Sequence, residues 1–316
     1  MAELRRRIAP PTIRGRLVLE VASELMGDDA WPYRQVRVSL GAGSGSVSFS
    51  GGADLTAIDE VATGQVQVSL INPAGALKVA LLGNGPFKDP VPVRAIAVIP
   101  SADQLGLAVA GSTGLNSLAD IREQRFPLKV SVPGNRQHAV HLFLTELLSA
   151  AGFSLDDIGA WGGEVRYDEG RPGASNRMGA VERGEIDALF DEGVGGWSSR
   201  ALELGMRFLP LDEPLLQDME RVGFRRALLT KAECPTLPQD VPTLDFSGWT
   251  VFTRADTPDE AVTAICRALE ARKDRVPIQS GEPLPLEHMV HDTAGGPLDI
   301  PLHPAAERFW QQLGYL

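Results

Sequence analysis

The stretch that decides the fold is LKVSVPGNRQHAVHLFLTELLSAAG, residues 128–152. Its first five residues alternate between apolar and polar side chains, which predicts a strand over 128–132. Apolar residues then recur at helical spacing, which predicts a helix over 137–151 that ends at Gly152. A strand that leads directly into a helix is the building unit of an α/β fold.

The same pattern repeats on the C-terminal side of this unit. Strands are predicted over 164–167, 186–190 and 206–211, and helices over 176–183 and 197–204. Strands that alternate with helices of this length predict parallel sheets with helices on both faces. The predicted fold class is therefore α/β.

Strands and helices are also predicted to alternate on the N-terminal side of residues 128–152. Strands are predicted over 36–40, 66–71 and 93–99, and helices over 54–63 and 74–82. Glycine and serine dominate residues 41–52, so we expect a loop there.

Two extended stretches, 104–110 and 249–253, are predicted to cross between lobes. The prediction is a two-lobed molecule in which residues 110–250 form one lobe. Residues 1–109 and 251–316 form the other. In such a plan a ligand binds in the cleft between the lobes.

The composition narrows the range of functions. The chain has 316 residues, 43% hydrophobic and 22% charged, with a formal net charge of -11. This acidic balance argues against nucleic acid or an anionic membrane as the main partner. Two cysteines are too few for a disulfide framework or a four-thiolate metal site.

Two features of the sequence bear on location. Prolines and charged residues interrupt the apolar positions of residues 1–26, so these residues do not read as a secretory signal. No stretch of the chain reaches the length of a membrane span. We therefore expect a cytoplasmic protein, or a periplasmic one if the natural start lies upstream.

Polar residues that follow predicted strands are candidate ligand-binding residues. Asn135 and Arg136 lie between a strand and a helix, where an anion meets a guanidinium group and a helix N-terminus. An Arg136 paired with a neighbouring carboxylate is the equal alternative. The glycine-rich loop offers backbone N–H groups to a carboxylate, and a plain surface loop is its alternative. The candidates for binding a carboxylate are Ser44, Ser46, Asn72, Asn135, Arg136 and Trp197.

A second set of residues favours chemistry over binding. His138 and His141 are three residues apart on one predicted helical face, a spacing compatible with a divalent metal. Asp191 and Glu192 end a predicted strand and could complete that metal site or act as acid and base. The alternative is a pair of half-buried histidines without a catalytic role. Apart from such a metal, no cofactor is predicted.

Six segments in order along the chain resemble the TAXI class of solute receptors, the binding proteins of TRAP transporters. They are SLADI (117–121), VPGNR (132–136), VERGEIDALF (181–190), DVPT (240–243), TRAD (253–256) and IPLHPAAERFW (300–310). The resemblance covers most of the chain. It implies a type II periplasmic-binding-protein fold with two crossover strands. Together with the candidate residues above, it predicts a solute-binding protein that reversibly binds a small organic acid in the cleft between the lobes. If the protein is exported, it also implies TRAP membrane subunits as partners.

The chain also departs from the TAXI pattern. It lacks the family's first strand and glycine–tyrosine loop, and residues 132–138 lack the small hydroxyl residues of the matching loop. One wall of the family's pocket is therefore missing or rebuilt. Two alternatives to a transport receptor therefore stay open: a cytoplasmic enzyme on the same scaffold (a decarboxylase, hydrolase or isomerase of a carboxylate) and a cytosolic sensor that acts through a partner.

Overall fold

The structure is a computed structural model that describes residues 19, 21, 36–42, 45–51, 54–275 and 283–316. The chain forms two compact units. Unit 1 comprises Met1–Leu77, Val91–Ser101 and Ser247–Leu316, and unit 2 comprises Lys78–Pro90 and Ala102–Phe246. Each unit has a hydrophobic core of its own.

The chain crosses between the units a few residues away from the positions expected from the sequence. It leaves unit 1 after Ser101 and returns at Ser247, whereas the sequence placed the boundaries after residues 109 and 250. Residues 78–90 belong to unit 2, where the side-chain amide of Asn84 donates to the carbonyls of Arg221 and Val222.

Unit 1 contains a five-stranded sheet in the order β1-β2-β3-β12-β4. Its strands are β1 (Val36–Ala42), β2 (Gly45–Gly51), β3 (Val68–Ile71), β4 (Val93–Ile99) and β12 (Trp249–Arg254). Strands β2 and β3 are parallel, whereas β12 is antiparallel to both β3 and β4.

The prediction of a loop over residues 41–52 is wrong. Residues 45–51 form β2, which pairs antiparallel with β1. The run Ser46-Val47-Ser48-Phe49 alternates between polar and apolar residues, and this period of two outweighs the glycine content. Residues 43, 44, 52 and 53 lie outside the described residues.

The helices that begin in unit 1 are α1 (Thr56–Ala62), α2 (Ala74–Leu82), α9 (Asp259–Arg272) and α10 (Pro304–Leu313). Helix α10 packs into the core through Trp310, which is fully buried and donates its indole N–H to the Ile96 carbonyl at 2.9 Å. Just before it, Leu302 forms a parallel bridge with Ala95 of β4. The closing segment therefore completes the core of unit 1.

Unit 2 contains a second five-stranded sheet, in the order β7-β6-β8-β5-β9, and a two-stranded ribbon, β10-β11. The strands are β5 (Gly106–Ala110), β6 (Lys129–Pro133), β7 (Glu164–Asp168), β8 (Ala188–Asp191), β9 (Met206–Phe208), β10 (Arg226–Leu229) and β11 (Val241–Leu244). Strand β6 is parallel to β7 and β8, whereas β5 is antiparallel to β8 and β9.

Six α-helices alternate with these strands along the sequence of unit 2. They are α3 (Leu118–Gln124), α4 (Ala139–Ala150), α5 (Leu155–Ala160), α6 (Ser175–Glu182), α7 (Ser198–Glu203) and α8 (Glu213–Val222). Helix α4 begins two residues later than expected, because His138 acts as its N-cap. No helix among the described residues has the length and apolar character that a membrane span requires.

The α/β class is confirmed, but the expectation of parallel sheets holds only in part. The parallel pairs are β2–β3 and β6 with its two neighbours. Strands β5 and β12 run antiparallel to their neighbours. Each of these strands follows a crossing between units, so the rule that a connecting helix makes two strands parallel does not apply to them.

Candidate functional site

Three neighbouring parallel strands of unit 2 end at the same edge of their sheet. Strands β6, β7 and β8 terminate at Pro133, Asp168 and Asp191. Ligands of α/β proteins bind outside the carboxyl ends of such strands. We call this region the carboxyl edge of unit 2, and it includes the loops 134–138, 169–174 and 192–197.

Arg177 of α6 joins these strand ends from inside the protein. Its side chain is 1% exposed. Its Nη1 donates to the Asp191 carboxylate at 2.5 Å and to the Gly170 carbonyl at 3.1 Å. Its Nε donates to the Ser131 hydroxyl at 3.0 Å, and Ser131 donates to Asp168 at 2.7 Å. One guanidinium group thus ties β6, β8 and the loop after β7 together.

Asp191 remains hard to ionise despite this partner. Burial raises its pKa to about 6, although the charge and hydrogen bond of Arg177 oppose the rise. Its other oxygen accepts from the backbone N–H of Glu192 at 2.8 Å. The Nη2 atom of Arg177 is buried and has no hydrogen-bond acceptor among the described residues.

A second carboxyl pair lies next to this network. Glu192 forms a side-chain hydrogen bond with Asp103, which precedes β5. Burial in the first place, and then this bond, raise the pKa of Glu192 to about 10. Burial also raises the pKa of Asp103. Two carboxyl groups this close share a proton, because both cannot ionise side by side.

The two histidines of the sequence-based metal hypothesis are engaged in local bonds. The Nδ1 atom of His138 accepts from the backbone N–H of Val140 at 3.3 Å, which caps α4. Burial, followed by the charges of His141 and Arg177, lowers the pKa of His138 to about 4. The Nε2 atom of His141 lies 2.8 Å from the Pro133 carbonyl, and burial lowers the pKa of this histidine.

The described residues show no group of ligands for a metal ion around these histidines. Within the part of the chain that the structure describes, no three His, Cys, Asp or Glu side chains are grouped so as to hold a metal ion. His138, His141, Asp191 and Glu192 nevertheless belong to the same edge of unit 2. Arg177 connects two of them, since it contacts Asp191 and its charge acts on His138.

Asn135 and Arg136 lie at the carboxyl edge, in the loop before α4. The Asn135 side chain accepts from the backbone N–H of Gln137 at 3.0 Å. The exposed guanidinium of Arg136 lies 3.6 Å from the centre of the Tyr167 ring. This cation–π contact holds the charge in place, although the residue is exposed.

Trp197 belongs to the core of unit 2. It is 2% exposed, packs against Phe208 and donates its indole N–H to the Glu192 carbonyl at 2.9 Å. A Cβ on Gly106 would lie 2.7 Å from its ring, so the fit is close. In this conformation Trp197 supports the loop that carries Glu192.

The remaining candidates lie elsewhere. Ser44 is outside the described residues, and Ser46 lies in β2 of unit 1, where its backbone pairs with Gly41. Asn72, also in unit 1, donates its side-chain amide to the Gly248 carbonyl at 3.4 Å. Ser46 and Asn72 therefore belong to a different unit from Asn135 and Arg136, which lie in unit 2.

The sequence reasoning missed five residues at or next to the carboxyl edge: Asp103, Ser131, Asp168, Arg171 and Arg177. A signal existed for Arg177. It lies on the same helical face as the buried residues Ala180 and Val181, at spacings of three and four, and a charged residue on a buried face needs a partner. Asp103 carries no comparable signal, because its contact with Glu192 depends on tertiary structure.

The connectivity defines the fold class of the protein. The chain forms two mixed α/β units, and the main segment of the second, Ala102–Phe246, lies in the sequence between two segments of the first. The polar cluster lies at the carboxyl ends of parallel strands, a common position for ligand binding in α/β proteins.

The chain belongs to the NMT1-like family, whose sequence profile matches residues 42–314. Similar solved structures include a periplasmic transporter with 13% identity, covering 77% of this chain and 74% of that one, with a TM-score of 0.33. A putative periplasmic sulfonate-binding protein, SsuA from Methylobacillus flagellatus KT, has 11% identity, coverages of 87% and 76% and a TM-score of 0.36. The glycine/betaine/L-proline-binding protein ProX from Borrelia burgdorferi has 9% identity, coverages of 62% and 60% and a TM-score of 0.33.

Proposed function

We propose that the protein is a solute-binding protein that reversibly binds a small organic acid at the carboxyl edge of unit 2. One observation carries this proposal: the loops after two of the parallel strands, β6 and β7, bring guanidinium groups to a single edge. Arg136 and Arg171 are exposed in these loops, and Arg177 of α6 is buried and bonds the ends of the strands. Guanidinium groups match the geometry of a carboxylate and bind it through paired hydrogen bonds.

Arg136 is the group best placed to meet the acid first. Its guanidinium is exposed, and the Tyr167 ring fixes its position. It precedes the 12-residue helix α4, whose N-terminus carries partial positive charge. A carboxylate at this point gains both interactions, and both histidines beside it are neutral at pH 7 because burial lowers their pKa values.

The resemblance to TAXI receptors extends the proposal to a partner. We infer that the acid is delivered to TRAP membrane subunits. Uptake of the bound acid by vesicles that contain such subunits should then depend on the added protein. Location in the cell stays a prediction, which fractionation of the producing cells tests directly.

The binding proposal is tested by thermal denaturation in the presence of acetate, succinate and citrate, each with and without Zn²⁺ or Mn²⁺. A ligand at one hundred times its dissociation constant stabilises the folded state by about 2.7 kcal/mol, so an acid that binds raises the Tm. Arg136→Ala should abolish this rise. No rise with any carboxylate overturns the proposal.

Arg122→Ala is the matched control. Arg122 is an exposed arginine of α3, paired with Glu123, and its guanidinium donates to the Ala151 carbonyl just beyond the C-terminus of α4. It therefore lies at the opposite end of that helix from Arg136. The control variant should keep the full response to the acid.

An enzyme on the same scaffold is the second candidate. The shared proton of Asp103 and Glu192 favours it, because a carboxyl group that stays protonated at neutral pH can act as a general acid. His138 and His141, however, make structural bonds at the start of α4. Binding without chemistry is therefore the better supported function. If the protein were observed to convert the bound acid into a product, the enzyme would become the better supported candidate.

A further inference from the structure

The carboxyl pair at the edge of unit 2 is asymmetric. Asp103 accepts from three backbone N–H groups: Gln104 at 2.7 Å, Gly193 at 2.8 Å and Val194 at 3.2 Å. Three such donors stabilise a carboxylate. Asp103 is therefore the charged member of the pair, and Glu192 carries the proton.

This asymmetry leaves the proton of Glu192 available to another acceptor. When its O–H turns away from Asp103, that carboxylate still has its three backbone donors. Glu192 is partly exposed, so its O–H can reach a bound molecule. A protonated carboxyl group in a desolvated site is a neutral hydrogen-bond donor to an oxyanion.

The guanidinium of Arg177 points to the same kind of ligand. Its Nε and Nη1 atoms bond Ser131, Asp191 and Gly170, while the buried Nη2 has no acceptor among the described residues. A buried donor without an acceptor is costly. Arg177 bonds Asp191, the residue directly before Glu192 in the sequence.

We propose that Glu192 is a specificity-determining residue that binds the ligand's carboxylate as a neutral hydrogen-bond donor. This inference rests on the proposed function. When the ligand binds, the O–H group of Glu192 donates its hydrogen bond to the ligand oxygen instead of to Asp103. Glu192 keeps its proton, and none is taken up or released.

The inference predicts a dependence on pH. The charged groups that act on Glu192 are Asp103 before β5, Asp191 at the end of β8 and Arg171 in the loop after β7, with Arg177 of α6 behind Asp191. If Glu192 ionises, it adds negative charge beside two carboxylates and loses its donor. Affinity for an acid should therefore persist at neutral pH and fall near pH 10, where Glu192 titrates.

The first test compares Glu192→Gln with Glu192→Leu by calorimetric titration with acetate, succinate and citrate. Glutamine keeps a neutral N–H donor, so its affinity should stay near that of the wild type. Leucine removes the donor, which corresponds to a loss of roughly 10- to 150-fold for a hydrogen bond to a charged group. Wild-type affinity in Glu192→Leu overturns the inference but leaves the proposed function standing.

The pH profile gives a second readout. The wild type should lose affinity near pH 10, and Glu192→Gln should not. An identical decline in Glu192→Gln overturns the inference.

A third measurement needs no ligand. Infrared difference spectra of the wild type against Glu192→Gln at pH 8 should show the carbonyl band of a protonated carboxylic acid, since Asp191 titrates at about 6. Absence of this band overturns the inference. The band together with no response to any acid overturns the proposed function, and with it the assignment of Glu192 to a carboxylate ligand.

Discussion

A neutral histidine at the start of α4 makes the stability of the fold sensitive to acid. His138 is 6% exposed, stacks against Phe246 and caps α4 through Nδ1. Its pKa of about 4 lies below the ordinary value of 6.5, chiefly because of burial. Between these two pH values the unfolded chain therefore binds more protons than the folded protein. The contribution of neutral His138 to the stability of the fold is complete above pH 6.5 and is lost as the pH falls towards 4.

His138→Asn tests this dependence, because asparagine keeps an N-cap acceptor but does not titrate. The gap between 6.5 and about 4 corresponds to roughly 3 kcal/mol. From pH 7 to pH 4 the wild type should lose about this much more unfolding free energy than the variant. Urea denaturation at a series of pH values measures the difference, and parallel profiles would show that His138 is not the responsible group.

Removing Arg177 should leave Asp191 as a buried carboxylate without a counter-ion. The Asp191 side chain is 4% exposed and 2.5 Å from the guanidinium. Breaking a buried ion pair from one side costs about 3–5 kcal/mol, so we expect Arg177→Met to lower the unfolding free energy by that amount. Chemical denaturation at pH 8 measures this, because Asp191 is ionised there in the wild type.

Arg166→Met is the matched control for Arg177. Arg166 contacts Asp168 at 3.3 Å in the same network, but its side chain is 29% exposed. Because water solvates an exposed charge, the loss of unfolding free energy in Arg166→Met should stay within about 1 kcal/mol. Equal losses in the two variants would contradict the role of burial.

At the residue scale, the sequence predicted which side chains follow strands but not which partners they meet. Asn135, Arg136, Asp191 and Glu192 lie at one edge because parallel strands end together. Arg177 and Asp103 could not be placed there in advance, because their contacts come from separate elements of unit 2. Whether the predicted residues contact a ligand stays a prediction.

The residues directly before β6 and β7, Leu128 and Gly163, approach so closely that there is no room for a side chain on Gly163. A Cβ on Gly163 would lie 2.8 Å from the backbone nitrogen of Leu128 and closer still to its carbonyl oxygen. Because backbone atoms cannot turn aside, Gly163→Ala should push β7 away from β6. We expect a loss of roughly 1–3 kcal/mol in unfolding free energy, measured by urea denaturation.

Gly159→Ala is the control from the preceding helix, α5. A Cβ at Gly159 has no atom within 4 Å. Alanine favours the helix over glycine by up to about 1 kcal/mol, so this variant should be as stable as the wild type or more stable. A Gly163→Ala variant that behaves like Gly159→Ala would contradict the close approach of the two strands.

At the element scale, strongly patterned segments were predictable. Helix α2 and strand β4 occupy 74–82 and 93–99, as the sequence indicated. The hairpin of β1 and β2 was missed because its glycines and serines favour loops. The antiparallel direction of β5 and β12 was missed as well, because strand direction after a crossing has no local signal.

At the scale of the whole molecule, the two units fold around separate cores, and the candidate site lies within unit 2 alone. The closing segment that resembles the TAXI pattern builds the core of unit 1 through Trp310. It therefore carries information about the fold rather than about the ligand. Membership of the NMT1-like family is established, and the narrower TAXI assignment stays a prediction.

This division predicts where hydrogen exchange changes when an acid binds. A ligand at the carboxyl edge suppresses local opening there, so amide exchange should slow in loops 134–138, 169–174 and 192–197 of unit 2. Mass spectrometry with and without succinate or citrate, whichever raises the Tm, measures this. Arg136→Ala should lose the protection under the same conditions. Protection confined to unit 1 would place the binding residues outside the carboxyl edge and contradict the site proposed for unit 2.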